Sequence, residues 1–213
     1  MSLRGNDLRE HILYFAKTVF LEMGFERASM DMVAARAQTS KRTLYAHFES
    51  KEKLYLEIIE LVRAMSLRKL KRPGEYSDDP TEALVMFGAR CLECLLFAWT
   101  IRMCRMSVAE AERFPEGSAR YFDVIFTTPE TWLSEYLAAT FGLSNAASVD
   151  AAHRLLGRIM YPNFTRAMFG IEPITEEIDE DALSPDFDLV PIRHAVAELM
   201  ASLERPAANP HAA

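Results

Sequence analysis

The stretch SMDMVAARAQTSKRTLYAHFESKE, residues 29–52, divides itself into two short helices, a turn between them and the start of a third. Ser29 stands where an N-cap is needed and Asp31 falls in the first turn. Met30, Val33, Ala34 and Ala37 then recur at the i, i+3, i+4, i+7 spacing of a short buried helix. Gln38-Thr39 is the turn. Ser40 is the next cap, and Leu44 and Phe48, four apart, form the inward face of the helix it opens. Lys41, Arg42, Thr43, Tyr45 and His47 are left pointing elsewhere, and all are donors or amphipathic groups. Lys41 and Arg42 sit at the positive end of the helix macrodipole, an unfavourable placement that phosphates and guanine edges outside the helix would compensate. Ser50 caps a further helix, where Lys51 and the free backbone N–H groups together make a phosphate site. This is the layout of a helix-turn-helix. The bland reading of the same residues is a solvated polar face on a small helical bundle.

The flanking residues extend the helical pattern. A first helix is predicted from near Asn6 to Met23, with Leu8, Ile12, Phe15, Val19 and Phe20 inward and Gly24 ending it. The helix opened by Ser50 carries Leu54, Ile58, Leu61, Val62 and Met65. Its basic end, Arg68, Lys69, Lys71 and Arg72, suits a helix C-terminus without any DNA contact.

On these residues the chain resembles TetR/AcrR-family transcriptional regulators. The resemblance is carried by Ile12-Leu13, Phe20, Gly24-Phe25, Ser29, Val33-Ala34, Ala37, Thr43-Leu44-Tyr45, His47-Phe48, Ser50-Lys51-Glu52 and Leu54. Its most diagnostic part is Thr-Leu-Tyr-Ala-His-Phe-Glu-Ser-Lys-Glu, residues 43–52. Where the family usually places glycine in the turn, this chain has Gln38, which predicts a left-handed residue at a cost of about 1 kcal/mol or a slightly different turn. The resemblance implies a DNA-facing set of Ser29, Gln38, Thr39, Ser40, Lys41, Arg42, Thr43, Tyr45, His47 and Lys51. Within it, Lys41, Arg42 and Thr43 would approach base edges, Tyr45 and His47 would meet phosphates, and Lys51 would clamp the backbone. Glu110-Ala111-Glu112-Arg113-Phe114-Pro115-Glu116 is similar to a segment of one subgroup of these regulators.

Composition agrees. The chain has 213 residues, 50% of them hydrophobic, enough for a headpiece and a larger body with its own core. No apolar run approaches the ~20 residues of a membrane span and no signal-peptide pattern opens the chain, so a soluble, cytoplasmic protein is expected. Met1-Ser2-Leu3 reads in part as a cloning remnant. Three cysteines, an odd number, offer no secreted-type disulfide framework. Residues 1–55 hold nine Lys/Arg against seven Asp/Glu, net +2, and the remainder fifteen against twenty-four, net −9, which restores the total of −7. Only the headpiece suits a polyanion, and an acidic body disfavours indiscriminate coating of DNA.

The body is predicted helical throughout, with no strict alternation that would call for a sheet. Arg72–Asp78 is the boundary candidate. Asp79-Pro80-Thr81-Glu82 is a start signal for a helix apolar on nearly every side from Leu84 to Trp99. Further helices are predicted over about 101–113, over a stretch that holds Tyr121 to Tyr136 and ends at Gly142, which Pro129 kinks or restarts with Thr128 as cap, from Ser148 to Gly170 across Pro162, and over 188–203. The expected fold is therefore all-α with about nine helices: a three-helix DNA-binding domain over residues 1–55, a ligand-binding and dimerisation domain over 56–205 with helix four (51–71) as connector, and a frayed tail at 206–213.

The resemblance implies a homodimer joined through about 148–169 and 188–203, with Leu155, Ile159, Val196, Leu199, Met200 and Leu203 at the interface. A two-fold dimer would double the base contacts over half-sites about 34 Å apart, or a multiple, on an inverted repeat of double-stranded DNA. A sensor cavity would be lined from Met86, Cys91, Cys94, Phe97, Met103, Tyr121, Phe122, Ile125, Trp132, Tyr136, Tyr161 and Phe164, and would take a largely apolar small-molecule effector; the plainer reading of all twelve is core. Arg90, Arg102, Arg105 and Glu110 are candidate anchors or internal pairs. Cys91 and Cys94, with Cys104, read as buried inert thiols or as thiol sensors. No His/Cys set completes a metal site, and the acidic run Glu176–Asp181 lacks calcium-loop spacing. His153 and His194 read as helix-face residues or as a switch in the dimer. No nucleophile–base pair or cofactor fingerprint supports catalysis. The function expected is a ligand-responsive, sequence-specific regulator, most simply a repressor; the alternative is a helical small-molecule-binding or enzymatic protein with a vestigial headpiece.

Overall fold

The computed structural model describes residues 5–204; the expectations for the first three residues and for the 206–213 tail lie outside them. The described residues form eleven α-helices: α1 (Asn6–Arg27), α2 (Met30–Arg36), α3 (Lys41–His47), α4 (Lys51–Lys69), α5 (Pro80–Leu96), α6 (Ala98–Ala109), α7 (Pro115–Phe122), α8 (Thr128–Phe141), α9 (Asn145–Met160), α10 (Asn163–Met168) and α11 (Val190–Leu203). A 3-10 turn at Pro73–Glu75 and a π-helical segment at Asp123–Thr127 complete them. The only β feature among the described residues is an isolated bridge between Phe97 and Thr175, so the fold is all-α. No helix among them is long and apolar enough to cross a membrane.

Two compact units divide these helices. The first comprises the described residues up to Leu67 together with Ala98–Val124; the second comprises Arg68–Phe97 with the described residues from Ile125 onward. Chain order and spatial grouping therefore differ, since α6 and α7 join the headpiece helices.

In the first unit the apolar stripes close on one another as their spacing dictates. Ile12, Ala16, Val19 and Phe20 of α1, Val33 of α2, Leu44 of α3 and Leu54, Ile58 and Ile59 of α4 are all buried to within 1%. Phe20, Phe25 and Tyr55 form an aromatic knot, with centroids 5.2–6.1 Å apart, geometry favourable to ring pairs. Gly24 does end the regular part of α1, at φ 74°, ψ 165°, but a further turn over residues 25–27 follows it and turns Phe25 into the core.

The second unit is built on α5, which is buried on nearly all sides and packs against α9 and α11. Gly88 is the reason these helices approach closely: a Cβ there would lie 2.6 Å from Ile159 Cδ1 and 3.4 Å from Ile192 Cγ2. Asp79 caps α5 through the Glu82 N–H at 2.7 Å, with Pro80 in the first turn, as its sequence announces.

Several helix ends differ from expectation. α6 stops at Ala109, leaving Glu110–Arg113 as turns. Pro129 stands in the first turn of α8, which restarts at Thr128 behind the π-helical segment; Thr127, not Thr128, precedes α8, without a side-chain cap. α9 starts three residues earlier than the Ser148 signal, capped by Ser144 through the Ala147 N–H at 3.3 Å. The Ser148–Gly170 helix is in fact two, α9 and α10, parted at Tyr161-Pro162 because proline has no N–H to continue the ladder.

Candidate nucleic-acid interface

The turn between α2 and α3 is closed by a Schellman pair: Thr39 N–H donates to the Ala34 carbonyl (2.9 Å) and Gln38 N–H to Ala35 (3.2 Å). That pairing needs a left-handed residue just past the helix, and Gln38 supplies it at φ 51°. The turn thus keeps the glycine geometry without the glycine. Ser29 caps α2 through the Met32 N–H (3.2 Å) and Ser40 caps α3 through the Thr43 N–H (3.0 Å). The Ser40 and Thr43 hydroxyls lie 2.7 Å apart, so both are engaged inside the motif.

Leu44 and Phe48 hold α3 against the core, at 0% and 3% exposure. Arg9 stacks over Phe48 at 5.0 Å and His11 Nε2 lies 3.1 Å from the Ala37 carbonyl, pinning α1 to both helices. Lys41, Arg42 and Tyr45 are exposed, and Thr43 and His47 are half-buried. Lys41 has a partner inside the chain, Asp31 Oδ1 at 2.7 Å, and that hydrogen bond raises its pKa. Arg42 makes no hydrogen bond or ion pair among the described residues, and remains the cation of α3 whose placement an outside anion would compensate.

Lys51 is also engaged. Its ammonium donates to the Glu26 carbonyl at 3.1 Å and stands 4.4 Å from the centroid of Phe25; two of its three donors stay available. Ser50 caps α4 through the Lys53 N–H at 3.2 Å. An open cleft of about 540 Å³ between the start of α2, α3 and the start of α4 is lined by Ser29, Asp31, Lys41, Tyr45, Glu49, Lys51 and their neighbours. Four expected residues, Ser29, Lys41, Tyr45 and Lys51, meet there; Gln38, Thr39, Ser40, Arg42, Thr43 and His47 do not line it. The carboxylates of Asp31, Glu49 and Glu52 at this mouth went unforeseen, because the pairing of Asp31 with Lys41 depends on how two helices cross.

The effector candidates fall on both units. Met103, Tyr121 and Phe122 belong to the first. Met86, Cys91, Cys94, Phe97, Ile125, Trp132, Tyr136, Tyr161 and Phe164 belong to the second. Cys91, Met103, Tyr121 and Ile125 are buried, whereas Phe122 and Tyr161 are exposed. Trp132 and Tyr136 line a cleft of about 290 Å³ with Arg72, Pro73 and Glu135, and Arg72 lies 5.2 Å over the Trp132 ring. Burial pushes the thiols up, Cys94 to about 11 and Cys104 to about 12, with Cys91 higher still. Among the described residues no three His, Cys, Asp or Glu side chains gather as a metal set.

The residues expected at a dimer interface lie on α9 and α11. Leu155, Ile159, Val196 and Leu199 are 0–7% exposed and belong to the core of the second unit, against which Met200 and Leu203 also pack. The outward faces of α9 and α11 present other residues, among them Val149, His153, Arg158, Val190, Pro191 and His194.

Residues 12–58 match the family model described as bacterial regulatory proteins, tetR family, and residues 82–184 match the AefR-like transcriptional repressor, C-terminal domain. The HTH-type transcriptional activator FasR of Mycolicibacterium smegmatis is 44% identical over 62 residues, 27% of this chain and 28% of that protein. The HTH-type transcriptional regulator UidR of Escherichia coli is 33% identical over 110 residues, 48% of this chain and 56% of that protein. The chain thus spans little more than half the length of these curated relatives at most. Among solved structures, a TetR-family regulator from Mesorhizobium loti superposes with a TM-score of 0.77 at 20% identity, covering 94% of this chain and 98% of that one. The Flavonoid-responsive Regulator FrrA superposes with a TM-score of 0.70 at 24% identity, covering 96% and 100%. At such identities these structures establish the fold.

Proposed function

The chain belongs to the TetR family of transcriptional regulators, and from that premise we propose that it is a homodimeric repressor, released from an inverted-repeat operator by a small, largely apolar effector. The observation that carries the DNA-binding part is the left-handed Gln38 turn, which sets α3 on α2 with Arg42 exposed and unpaired in its first turn. Residues 1–55 would serve as the DNA-binding part, with α4 leading to a sensing and dimerising body. Ser29, Tyr45, His47 and Lys51 would meet phosphates, which position a protein on the duplex, while Lys41, Arg42 and Thr43 would reach base edges, which specify sequence. The repressor sense is supported by the match of residues 82–184 to a repressor C-terminal model.

Dimerisation would use the outward faces of α9 and α11. Induction requires an effector that favours a body conformation whose headpieces are mis-spaced for the operator; DNA then weakens the effector by the same factor. The test is selection of genome fragments on the purified protein at near-physiological salt. An enriched inverted repeat with half-sites about one helical turn apart, or a multiple, supports the reading; retention of no sequence above background overturns it.

A further inference from the structure

The turn from Glu110 to Glu116 lies more than fifty residues beyond the headpiece in sequence, yet it stands on the same unit as α1 and α4. It is held in shape by Phe114 N–H donating to the Glu110 carbonyl at 2.8 Å. The Phe114 ring sits 4.8 Å from Phe25 and 5.3 Å from Tyr55, extending the aromatic knot. Arg113 lies 4.6 Å over the Phe25 ring, and its two terminal nitrogens reach Glu26 Oε1 at 2.5 Å and Glu52 Oε1 at 3.3 Å. At the start of α7, Gly117 lets the chain press on α4: a Cβ there would lie 2.9 Å from Ile59 Cδ1 and 3.0 Å from Leu56 Cδ2.

Lys51 uses the same residues. Its ammonium meets the same Phe25 ring and donates to the carbonyl of the same Glu26. Two cations therefore share one ring and one residue. The side chains of Glu26 and Glu52 are 73% and 45% exposed, and unneutralised carboxylates beside Lys51 would compete with a phosphate for its ammonium and repel the phosphate. The Glu52 carboxylate is held below its usual range by its own backbone N–H and the Ser50 hydroxyl, with Arg113 and Lys51 adding to the effect.

We propose that Arg113 is a positioning residue for DNA binding: it neutralises Glu26 and Glu52 and braces Phe25, so that Lys51 presents its free donors to a backbone phosphate. The inference rests on the reading of Lys51 as a phosphate contact. Arg113 acts through Lys51 without touching DNA, so its effect is independent of sequence and depends on Lys51 being present.

A double-mutant cycle on a fluorescent duplex of mixed sequence tests this. Arg113→Ala is expected to weaken binding about fivefold, and Arg113→Lys, which keeps the charge without the fork, to recover part of the loss. In a Lys51→Ala background, Arg113→Ala should change affinity less than twofold. Thermal unfolding controls for folding, and Arg113, with its side chain 47% exposed, is expected to leave it little changed. Full additivity of the two substitutions overturns the positioning role, as does unchanged affinity of Arg113→Ala when Lys51→Ala weakens binding. If Lys51→Ala leaves both the affinity and its salt slope unchanged, the phosphate reading has failed, and the proposal with it.

Discussion

Arg90 and Glu93 form an ion pair of 2.6 Å in the interior of the second unit, each side chain 2% exposed. The pair is satisfied by a loop distant in sequence. Arg90 also donates to the carbonyls of Asp179, Glu180 and Ala182, and to Lys69 at the end of α4, while Glu93 accepts from the Ser184 N–H at 2.9 Å. A buried charge pair is tolerable only when its remaining donors and lone pairs are met, and here the loop's backbone meets them. The acidic run 176–181 is thereby a strap tied across α5, whatever its side chains do in solvent.

Removing one member should leave the other buried and unmatched. Arg90→Met is expected to destabilise the protein by about 3–5 kcal/mol, read by urea unfolding, and to expose the 176–184 strap to limited proteolysis. A loss under 1 kcal/mol with an unchanged digestion pattern would show that the pair does not hold the strap.

Gln38 accepts a left-handed backbone that glycine adopts freely. Gln38→Gly relieves roughly 1–2 kcal/mol of strain and returns part of it as added freedom of the unfolded chain. The net expectation is a gain of up to about 1 kcal/mol, whereas Gln38→Val should lose about as much. Denaturant midpoints of the three proteins decide it, and a destabilised glycine variant contradicts the turn geometry.

The proposed function places Arg42 at base edges and Lys51 at a phosphate. Arg42→Ala should weaken the selected sequence by about 1–3 kcal/mol while sparing random duplex. Equal loss on both would move Arg42 to the backbone-contacting set.

Lys17 is fully buried without a carboxylate, its ammonium 3.4 Å from the Trp99 ring centroid, 4.4 Å from that of Tyr14 and 3.8 Å from Met65 sulfur. Desolvation lowers its pKa from 10.5 to about 8. Because the folded value lies below the unfolded one, the folded state binds fewer protons between about pH 8 and 10.5. The penalty is full below pH 8, and stability is regained as pH rises through that window. Lys17→Met should remove this rise, worth up to about 3 kcal/mol by the shift, and stabilise the protein at pH 7. Parallel pH profiles of both proteins would refute it.

The three thiols should be inert. With burial raising all three pKa values, alkylation of the folded protein near pH 7.5 is expected to be slow and to become rapid on unfolding, since the thiolate is the reacting form. Fast labelling of Cys94, the least buried, would restore the thiol-sensing alternative.

The signals legible in sequence were local ones. Ser29, Ser40, Ser50 and Asp79 each cap the helix they were expected to cap, because a cap joins groups two or three residues apart and needs nothing else from the fold. Periodicity likewise marked Leu44, Phe48, Ile58 and Val196 as inward. Helix starts went astray at 127 and 145, where neighbouring Thr, Ser and Pro offered rival local solutions and packing chose among them.

Local chemistry along the chain therefore determined that this protein is all-helical, where its helix-turn-helix lies and which face of each helix is apolar. Tertiary structure alone decided what each face meets: that Leu155 and Val196 are buried in the core of the second unit, that Lys41 finds Asp31, that Arg90 closes on backbone ninety residues away, and that Arg113 shares Phe25 with Lys51. The physical reason is that periodicity and capping are set by bonds within a few residues, whereas charge pairing and burial depend on distances that only the crossing of helices brings within reach.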